Sequence, residues 1–429
     1  MFPSNDPKLR SFIPVDPDSH FPIQNLPYGV FRPRAGGPPR VGVAIGDLVL
    51  DLALLEKKGY LPNVSKAGDI PIFSRPNLSN LMALEKPGWR DMRSKISRLL
   101  SGADPALQND ARLREQAFHK QSEVDMLLPV EILDYTDFYS SKEHAINLGK
   151  MFRGSDNPLL PNWSHMPVAY HGRASSIVIS GTDIRRPCGQ TKKDEDPAPT
   201  FGPSRMIDFE LEVGFFIAKG NQMGLRIPVD QYRQHIFGMV LVNDWSARDI
   251  QRWEYQPLGP FLGKNFATSI SPWVVTLEAL DPFRTAGPVQ DPEPLPYLRN
   301  AGERTYDIQL EVWLQGQQMS EPHCISRTNY KYLYWDMSQQ VAHHTVNGCN
   351  LRLGDLIASG TISGPDPSSY GSLIELARQG KKPIVFPDGE TRTALLDGDR
   401  VIMTGWCQGD GYRVGFGEVT GRILPAIEA

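Results

Sequence analysis

One segment constrains this chain more than any other, because it alternates apolar and acidic residues. Residues 207–216 read I-D-F-E-L-E-V-G-F-F, and a period of two predicts a β-strand. Side chains two apart on a strand share one face, so Glu210 and Glu212 are predicted to project together. The residues beside them are expected to enter a core: Phe209, Leu211 and Val213. Two adjacent carboxylates raise each other's pKa unless a cation lies between them.

Two further aspartates occur in segments that could join this pair. Asp137 lies in D-Y-T-D-F-Y-S-S-K-E-H, and Asp244 ends the apolar run G-M-V-L-V-N-D. With Glu210 and Glu212 they make a set of four oxygen ligands, which suits Ca²⁺ or Mg²⁺ rather than zinc. The alternative is a strand face exposed to water, since charged residues are mostly exposed.

The remaining pattern predicts a mainly β fold in two parts. The chain has 429 residues, which is long for one small core, and its 38 glycines and 37 prolines indicate many turns. A hairpin is predicted where R-V-G-V-A-I and L-V-L-D-L flank Gly46-Asp47, and helical spacing follows from 77 to 121. We place the boundary near Leu128-Pro129. Residues 1–128 are predicted to be a small β domain with a helical linker, and 129–429 a β-sandwich or roll.

Composition excludes several classes of protein. The net charge of −4 predicts neither nucleic acid nor an anionic membrane as a partner, and no apolar run is long enough to span a bilayer. The first residues lack the apolar region of a secretory signal. Four cysteines without C-x-x-C spacing are typical of a reducing compartment, and we predict a cytoplasmic protein. They are Cys188, Cys324, Cys349 and Cys407.

A helix is predicted directly after Asp244, in W-S-A-R-D-I-Q-R-W-E-Y, with Asp244 or Ser246 as its cap. On this helix Arg248, Gln251 and Tyr255 fall on one face. A guanidinium, an amide and a phenol arranged in this way can hold an anionic, oxygen-rich ligand. The alternative is an amphipathic helix whose polar face contacts water.

Two residues are candidates for acid–base and electrostatic roles. Lys264 follows a Gly- and Pro-rich loop, P-L-G-P-F-L-G-K, where a lysine can stabilise an oxyanion. His144 shares a segment with Asp137 and is a candidate general base. Such a base needs an orienting carboxylate, which the pattern does not identify. The alternatives are a surface lysine and a structural histidine, as we predict for the doublet His343-His344.

Two later segments carry further candidates. In D-L-I-A-S-G-T, a strand is predicted to end at Gly360-Thr361, where an open backbone can approach a ligand closely. Glu375 lies in the apolar stretch S-L-I-E-L. An acid between Ile374 and Leu376 must be either paired or at the edge of a strand.

Several long runs of rare composition identify a family. Together they resemble the fumarylacetoacetate hydrolase family over nearly the whole chain. The runs include F-P-I-Q-N-L-P-Y-G-V-F, D-Y-T-D-F-Y-S-S, M-F-R-G, Y-H-G-R-A-S-S-I-V, N-D-W-S-A-R-D-I-Q, P-L-G-P-F-L-G-K and C-Q-G-D-G-Y-R-V-G-F-G. The resemblance implies a small SH3-like N-terminal domain, a mixed β-sandwich roll and a homodimer. It also implies metal-dependent hydrolysis of the C–C bond of a small diketo acid, 4-fumarylacetoacetate, to fumarate and acetoacetate, the last step of tyrosine and phenylalanine catabolism.

The resemblance also implies a role for each candidate. It pairs His144 with Glu375 to activate water. The residues implied to stabilise the leaving carbanion are Arg248, Gln251 and Lys264. The residues implied to contact substrate are Tyr139, Arg153, Gln251, Tyr255 and Thr361. Those implied to hold Ca²⁺ or Mg²⁺ are Asp137, Glu210, Glu212 and Asp244, with Lys264 and Thr268 beside Asp244 at a second Mg²⁺ site.

Two alternatives to this function remain open. The first is another reaction of the same superfamily, such as decarboxylation of an oxaloacetate-like acid, and the His144–Glu375 pair favours hydrolysis over it. The second is a non-catalytic, Ca²⁺-binding β-sandwich module. Such a module has no need of a base and a cationic cluster beside its ion.

Overall fold

A computed structural model of the chain describes residues 3–62, 71–154, 156 and 158–427. The first part of the chain combines a small sheet with short helices. Its strands are β1 (Tyr28–Pro33), β2 (Arg40–Ile45), β3 (Leu48–Asp51), β4 (Phe118–Lys120) and β5 (Val124–Leu127). Its helices are α1 (Leu52–Lys57), α2 (Ser79–Met82), α3 (Glu85–Leu100), α4 (Pro105–Gln108) and α5 (Ala111–Ala117).

The first sheet has the strand order β4-β3-β2-β1-β5. The predicted hairpin is confirmed, because β2 and β3 pair antiparallel with Ile45 opposite Leu48. Gly46 in the turn has φ +57°, a conformation that glycine adopts without steric cost. The helical spacing predicted from 77 to 121 is confirmed as far as Ala117 by α2 to α5, whereas Phe118–Lys120 form β4.

The rest of the chain is mostly strand. Its strands are β6 (Tyr135–Phe138), β7 (Ala169–Gly172), β8 (Ile177–Ile179), β9 (Ile184–Arg185), β10 (Cys188–Thr191), β11 (Thr200–Pro203), β12 (Ile207–Asp208), β13 (Leu211–Ile217), β14 (Ile236–Asp244), β15 (Ser246–Ala247), β16 (Thr268–Ile270), β17 (Val275–Thr276), β18 (Arg284–Thr285), β19 (Thr305–Tyr306), β20 (Gln309–Gln315), β21 (His323–Asn329), β22 (Leu356–Ala358), β23 (Ile384–Val385), β24 (Thr391–Arg392), β25 (Arg400–Gln408) and β26 (Arg413–Leu424). Its helices are α6 (Lys142–Arg153), α7 (Arg248–Glu254), α8 (Leu277–Leu280), α9 (Met337–Thr345) and α10 (Leu373–Leu376).

Two sheets organise this second part. The central sheet has the order β7-β6-β22-β13-β14-β16-β8, with β17 also paired to β14, and the outer sheet has the order β21-β20-β25-β26-β9. Their facing side chains share one core, in which Leu211 and Val213 of β13 join Leu310 of β20 and Met403 of β25. The alternation of F-E-L-E-V therefore buries its apolar face as predicted, and the mainly β fold is confirmed.

The opposite face of the central sheet packs against the first part of the chain. On β14, Met239 and Leu241 belong to the core between the sheets, whereas Val240 and Val242 belong to a second core. That second core includes Trp89 of α3. A strand that is buried on both faces reads as a continuous apolar run, which accounts for M-V-L-V in the sequence.

Two expectations need correction. The apolar run W-V-V-T-L has the residue types of a strand, but only Val275–Thr276 is one, and Leu277–Leu280 form α8. The side chain of Thr276 accepts a hydrogen bond from Ala279 N and begins this helix, a cap that the apolar run concealed. Residues 129–429 were predicted to be a β-sandwich or roll, yet the 12-residue helix α6 begins at Lys142, where Ser141 caps it by accepting from His144 N.

His20 attaches the N-terminal segment to the hairpin of β25 and β26. Its carbonyl accepts from Gly415 N at 3.0 Å, and its ring Nδ1 accepts from Gly417 N at 3.2 Å. Burial, with a smaller contribution from Arg413, lowers the pKa of His20 from 6.5 to about 4. The ring is therefore neutral in the folded protein at neutral pH.

The stability of the protein is expected to fall as the pH falls from about 6.5 to about 4, because the unfolded chain then binds a proton that folded His20 excludes. Over this window the histidine accounts for about 3 kcal/mol of the free energy of unfolding. Urea unfolding at a series of pH values should show that the free energy of unfolding depends less steeply on pH in His20→Gln than in the wild type. The matched control is His165→Gln on an exposed loop, which should reproduce the wild-type slope; an identical slope for His20→Gln would contradict the prediction.

Candidate active site

The four predicted carboxylates meet where neighbouring strands of the central sheet begin or end. Asp137 comes from β6, Glu212 from β13 and Asp244 from the end of β14, while Glu210 directly precedes β13. All four are buried, and each offers an oxygen within 4.8 Å of the others. Antiparallel pairing places Leu211 opposite Asn243, so the start of one strand lies beside the end of the other. The parallel pair of β6 and β22 brings Asp137 to the same place.

Two of these carboxylates have oxygens without a protein partner. Within the described residues, Asp137 Oδ1 and Glu212 Oε1 are buried and accept no hydrogen bond. Burial, and then the neighbouring acids, raise the pKa of both carboxyl groups well above their usual values. A cation between them relieves the same repulsion without protonation. The donor set of four carboxylates therefore fits a hard divalent cation such as Ca²⁺ or Mg²⁺.

The other two carboxylates are already balanced by protein cations. Lys264 Nζ contacts Glu210 Oε2 and lies 2.8 Å from Asp244 Oδ2. Arg248 Nη2 is 2.8 Å from Glu210 Oε1. Burial alone would raise the pKa of Glu210, but the charges of Lys264 and then Arg248 lower it to about 2. The same acids outweigh burial and raise the pKa of Lys264, which is therefore a cation at neutral pH.

His144 and Glu375 form a buried pair beside this cluster. His144 Nδ1 lies 2.7 Å from Glu375 Oε2, and His144 Nε2 lies 3.9 Å from Glu210 Oε1. The carboxylate also accepts from Ser363 Oγ, from Ser372 Oγ at 2.6 Å and from Asn147 Nδ2 at 2.8 Å. Burial raises the pKa of Glu375, but the charge of His144 and these hydrogen bonds lower it overall. Glu375 Oε2 accepts from Nδ1–H, so Nε2 is the ring nitrogen left on the side of the cluster.

Arg248 and Gln251 lie on α7 and Tyr255 is its C-cap residue. The predicted helix begins only at Arg248, and its predicted cap is wrong. Its N-cap is Ala247, without a side-chain hydrogen bond. Asp244 instead stays in β14, where Thr268 Oγ1 donates to its Oδ1 at 2.9 Å. The contacts of Asp244 with Lys264 and Thr268 in the buried cluster are therefore favoured over a hydrogen bond to the start of the helix.

One cavity of about 430 Å³ joins these groups. It is lined by Tyr139, Gln251, Tyr255 and Thr361, by Lys264 and Arg248, and by Asp137, Glu210, Glu212 and His144. The hydroxyl of Thr361 is buried and has no hydrogen-bond partner in the described part of the chain. Arg153 ends α6, and its side chain lies outside the described residues. A second cavity of about 170 Å³ is lined by Asp244, Lys264 and Thr268.

Two residues of the site were not singled out from the sequence. Tyr170 on β7 donates to Asp244 Oδ2 at 2.7 Å and lies 3.1 Å from Asp137 Oδ2. Asp208 on β12 accepts from Arg248 Nε at 2.7 Å. Asp208 precedes Glu210 by two positions, so the strand period that identified Glu210 and Glu212 could have extended to it.

Comparison with known families covers both parts of the chain. Residues 24–129 match the family model described as "Fumarylacetoacetase N-terminal". Residues 135–423 match the model described as "Fumarylacetoacetate (FAA) hydrolase C-terminal". Together the two matches span most of the chain.

Curated relatives match at high identity. The chain is 56% identical over 417 residues to a fumarylacetoacetase of Mus musculus, covering 97% of this chain and 99% of that protein. It is 55% identical over the same length to a fumarylacetoacetase of Homo sapiens, with the same coverage. A solved structure of a fumarylacetoacetate hydrolase from psychrophilic Exiguobacterium antarcticum covers 93% of this chain and 99% of its own, with a TM-score of 0.52 at 16% identity, and shows the fold alone.

Proposed function

This chain belongs to the fumarylacetoacetate hydrolase family, and we propose that it hydrolyses a C–C bond of 4-fumarylacetoacetate to give fumarate and acetoacetate. This reaction is the last step of tyrosine and phenylalanine catabolism. The observation that carries the proposal is His144, which is paired with Glu375 and lines one cavity together with three of the four acids and two buried cations. The name shared by relatives at more than half identity supports the same substrate.

The metal is proposed to be Ca²⁺ or Mg²⁺, held by Asp137, Glu210, Glu212 and Asp244. When bound, such a cation polarises the carbonyl oxygens of a 1,3-diketone and balances the charge that develops on them. The unpaired oxygens of Asp137 and Glu212 support this assignment. For the second Mg²⁺ site beside Asp244, the supporting feature is the smaller cavity.

His144 is the proposed general base. Its Nε2 accepts a proton from water, and the resulting hydroxide adds to the ketone carbon to form a tetrahedral oxyanion. Glu375 holds the imidazole in the required tautomer and stabilises the imidazolium. The C–C bond then breaks, and the leaving carbanion takes the proton from the His144 imidazolium to become acetoacetate, which restores the base.

The buried cations are proposed to stabilise that carbanion. Lys264 and Arg248 line the cavity, and Gln251 accepts from Arg248 Nη1 at 3.1 Å. Donors that are already fixed in place stabilise developing charge without reorganising. The substrate itself is proposed to contact Tyr139, Tyr255, Arg153 and Thr361, and the unpaired hydroxyl of Thr361 supports its part in this set.

The assembly, the location and the domain boundary are also proposals. A homodimer is supported by exposed apolar side chains in one segment, Trp253, Leu258, Phe261 and Leu262, and light scattering would test it.

Four free cysteines suit a reducing compartment, which supports a cytoplasmic location. Among the described residues no helix has the length and apolarity of a membrane span. The boundary after residue 128 is supported by the separate first sheet.

The decisive experiment incubates the purified protein with fumarylacetoacetate and Mg²⁺ or Ca²⁺ and follows the loss of diketone absorbance. Loss that stops with EDTA and releases fumarate and acetoacetate is expected. No loss in a folded, metal-loaded sample would contradict the proposal. Release of CO₂ from an oxaloacetate-like acid would instead favour the superfamily decarboxylases.

A further inference from the structure

Asp208 is a buried acid that joins two parts of the catalytic apparatus without lining the cavity between them. It ends β12 and is 2% exposed. Burial raises its pKa, against the opposing charge of Arg248. Each of its two oxygens accepts more than one hydrogen bond or ion-pair contact from neighbouring segments. A buried carboxylate with so many donors is held in one position.

The first segment is the guanidinium of Arg248. Arg248 Nε and Nη2 each lie 2.7 Å from Asp208 Oδ2. This contact fixes one edge of the planar group, while Nη1 donates to Gln251 Oε1, and both residues line the cavity. An arginine held along one edge loses little freedom when its other edge meets a ligand.

The second segment is the start of α10. Leu373 N donates to Asp208 Oδ1 at 2.7 Å, and Ile374 N lies 3.3 Å from Oδ2. The next residue is Glu375, the partner of His144. Its side chain also accepts from Ser372 Oγ, so the backbone that carries this hydroxyl must stay in register with Asp208.

We propose that Asp208 is a positioning residue that sets the guanidinium of Arg248 at a fixed place relative to the His144–Glu375 pair. The base acts on water and the guanidinium acts on the leaving carbanion, so both must meet one substrate at the same time. This inference rests on the proposed hydrolysis. It assigns Asp208 an effect on turnover and little effect on substrate binding, because Asp208 does not line the cavity.

The negative charge of Asp208 and its two acceptor oxygens are both required. An asparagine at 208 has one acceptor oxygen and an amide that can only donate. Whichever way it is turned, its NH₂ faces either the guanidinium or the N–H groups at the start of α10. One of the two segments must therefore shift, and a displacement of about 1 Å costs about 10²-fold in rate.

The kinetic test compares Asp208→Asn with Asp336→Asn. Asp336 is chemically matched: it is buried, lies 2.9 Å from Arg304 Nη1 and accepts from Ser338 N at the start of α9. Asp208→Asn is expected to lower kcat by about 10- to 100-fold with KM changed by less than about 3-fold. Asp336→Asn is expected to lose stability but keep kcat within about 3-fold.

A spectroscopic measurement decides the question even without turnover. In protein labelled with ¹⁵N-histidine, the Nδ1 proton of His144 reports its hydrogen bond to Glu375. Asp208→Asn should shift this resonance, and Asp336→Asn should leave it in place. If Asp208→Asn does not fold, Asp208→Glu keeps the charge, displaces the carboxylate by one methylene and should show the same shift.

The outcomes separate this inference from the proposed function. If the wild type hydrolyses the substrate but Asp208→Asn keeps both its kcat and its His144 resonance, the role of Asp208 is overturned and the proposed function stands. An equal fall in kcat for both variants would reduce Asp208 to a structural residue. Absence of wild-type hydrolysis contradicts the proposed function, and the resonance then tests the positioning by itself.

Discussion

Replacing His144 with alanine is expected to lower kcat for hydrolysis by about 10³-fold while the protein stays folded, a loss within the range for general bases. No other histidine among the described residues lines the cavity, so no second imidazole can replace His144 as the base. Initial rates at saturating fumarylacetoacetate and Mg²⁺ measure the effect, and circular dichroism checks folding.

The matched control for this variant is His343→Ala. His343 also lies on a helix and also forms a hydrogen bond, to Tyr297 OH at 3.0 Å, but it is not part of the cavity. The control should keep kcat within about 3-fold, since it removes only a hydrogen bond and packing. Near-normal turnover of His144→Ala would show that His144 is not the base.

Replacing Glu212 with glutamine is expected to weaken binding of Ca²⁺ or Mg²⁺ by about 100-fold or more, because the site then offers three carboxylate charges instead of four. Glu212 is the ligand to test first, because its Oε1 has no hydrogen-bond partner among the described residues. Glu210→Gln should weaken binding as well, although Lys264 and Arg248 already balance that charge. Isothermal calorimetry of metal-free protein measures the affinity.

Thermal unfolding with and without metal supplies the second readout. Wild-type protein should gain stability as the metal concentration exceeds the dissociation constant, and Glu212→Gln should lose most of that gain. The control is Glu278→Gln, a buried acid on α8 that lies outside the carboxylate cluster. Unchanged metal affinity in both Glu210→Gln and Glu212→Gln would contradict the metal site.

Local patterns predicted much of the secondary structure. The period of two in F-E-L-E-V and the two-residue turn at Gly46-Asp47 both depend on neighbours in the chain. The turn matches the structure, and the alternation matches it in burial, although β13 begins only at Leu211. The cap of α7 was wrong for a physical reason. The side chain of Asp244 accepts from Lys264 Nζ and from Thr268 Oγ1 of β16 within the buried cluster, and α7 has no side-chain cap.

The pairing of His144 with Glu375 is a contact that local sequence patterns cannot predict. These residues are 231 positions apart, and no periodicity relates them. Residue types alone left Glu375 as either a paired acid or an edge residue; only the family resemblance suggested its partner. Tyr170 was missed because its contacts are with distant strands. Asp208 was missed although the strand period reaches it, because its partner Arg248 lies 40 positions away on α7.

The sequence by itself determined the class of fold, the hairpin, the shared face of Glu210 and Glu212 and the types of residue available for chemistry. Those properties follow from short-range sterics and from the burial of apolar side chains, which local order encodes. Only the tertiary structure decided which charges neutralise one another. The strand order β6-β22-β13-β14 brings Asp137, Glu212 and Asp244 together at the ends of neighbouring strands. Burial there makes an unpaired carboxylate oxygen costly, so each such oxygen requires a partner.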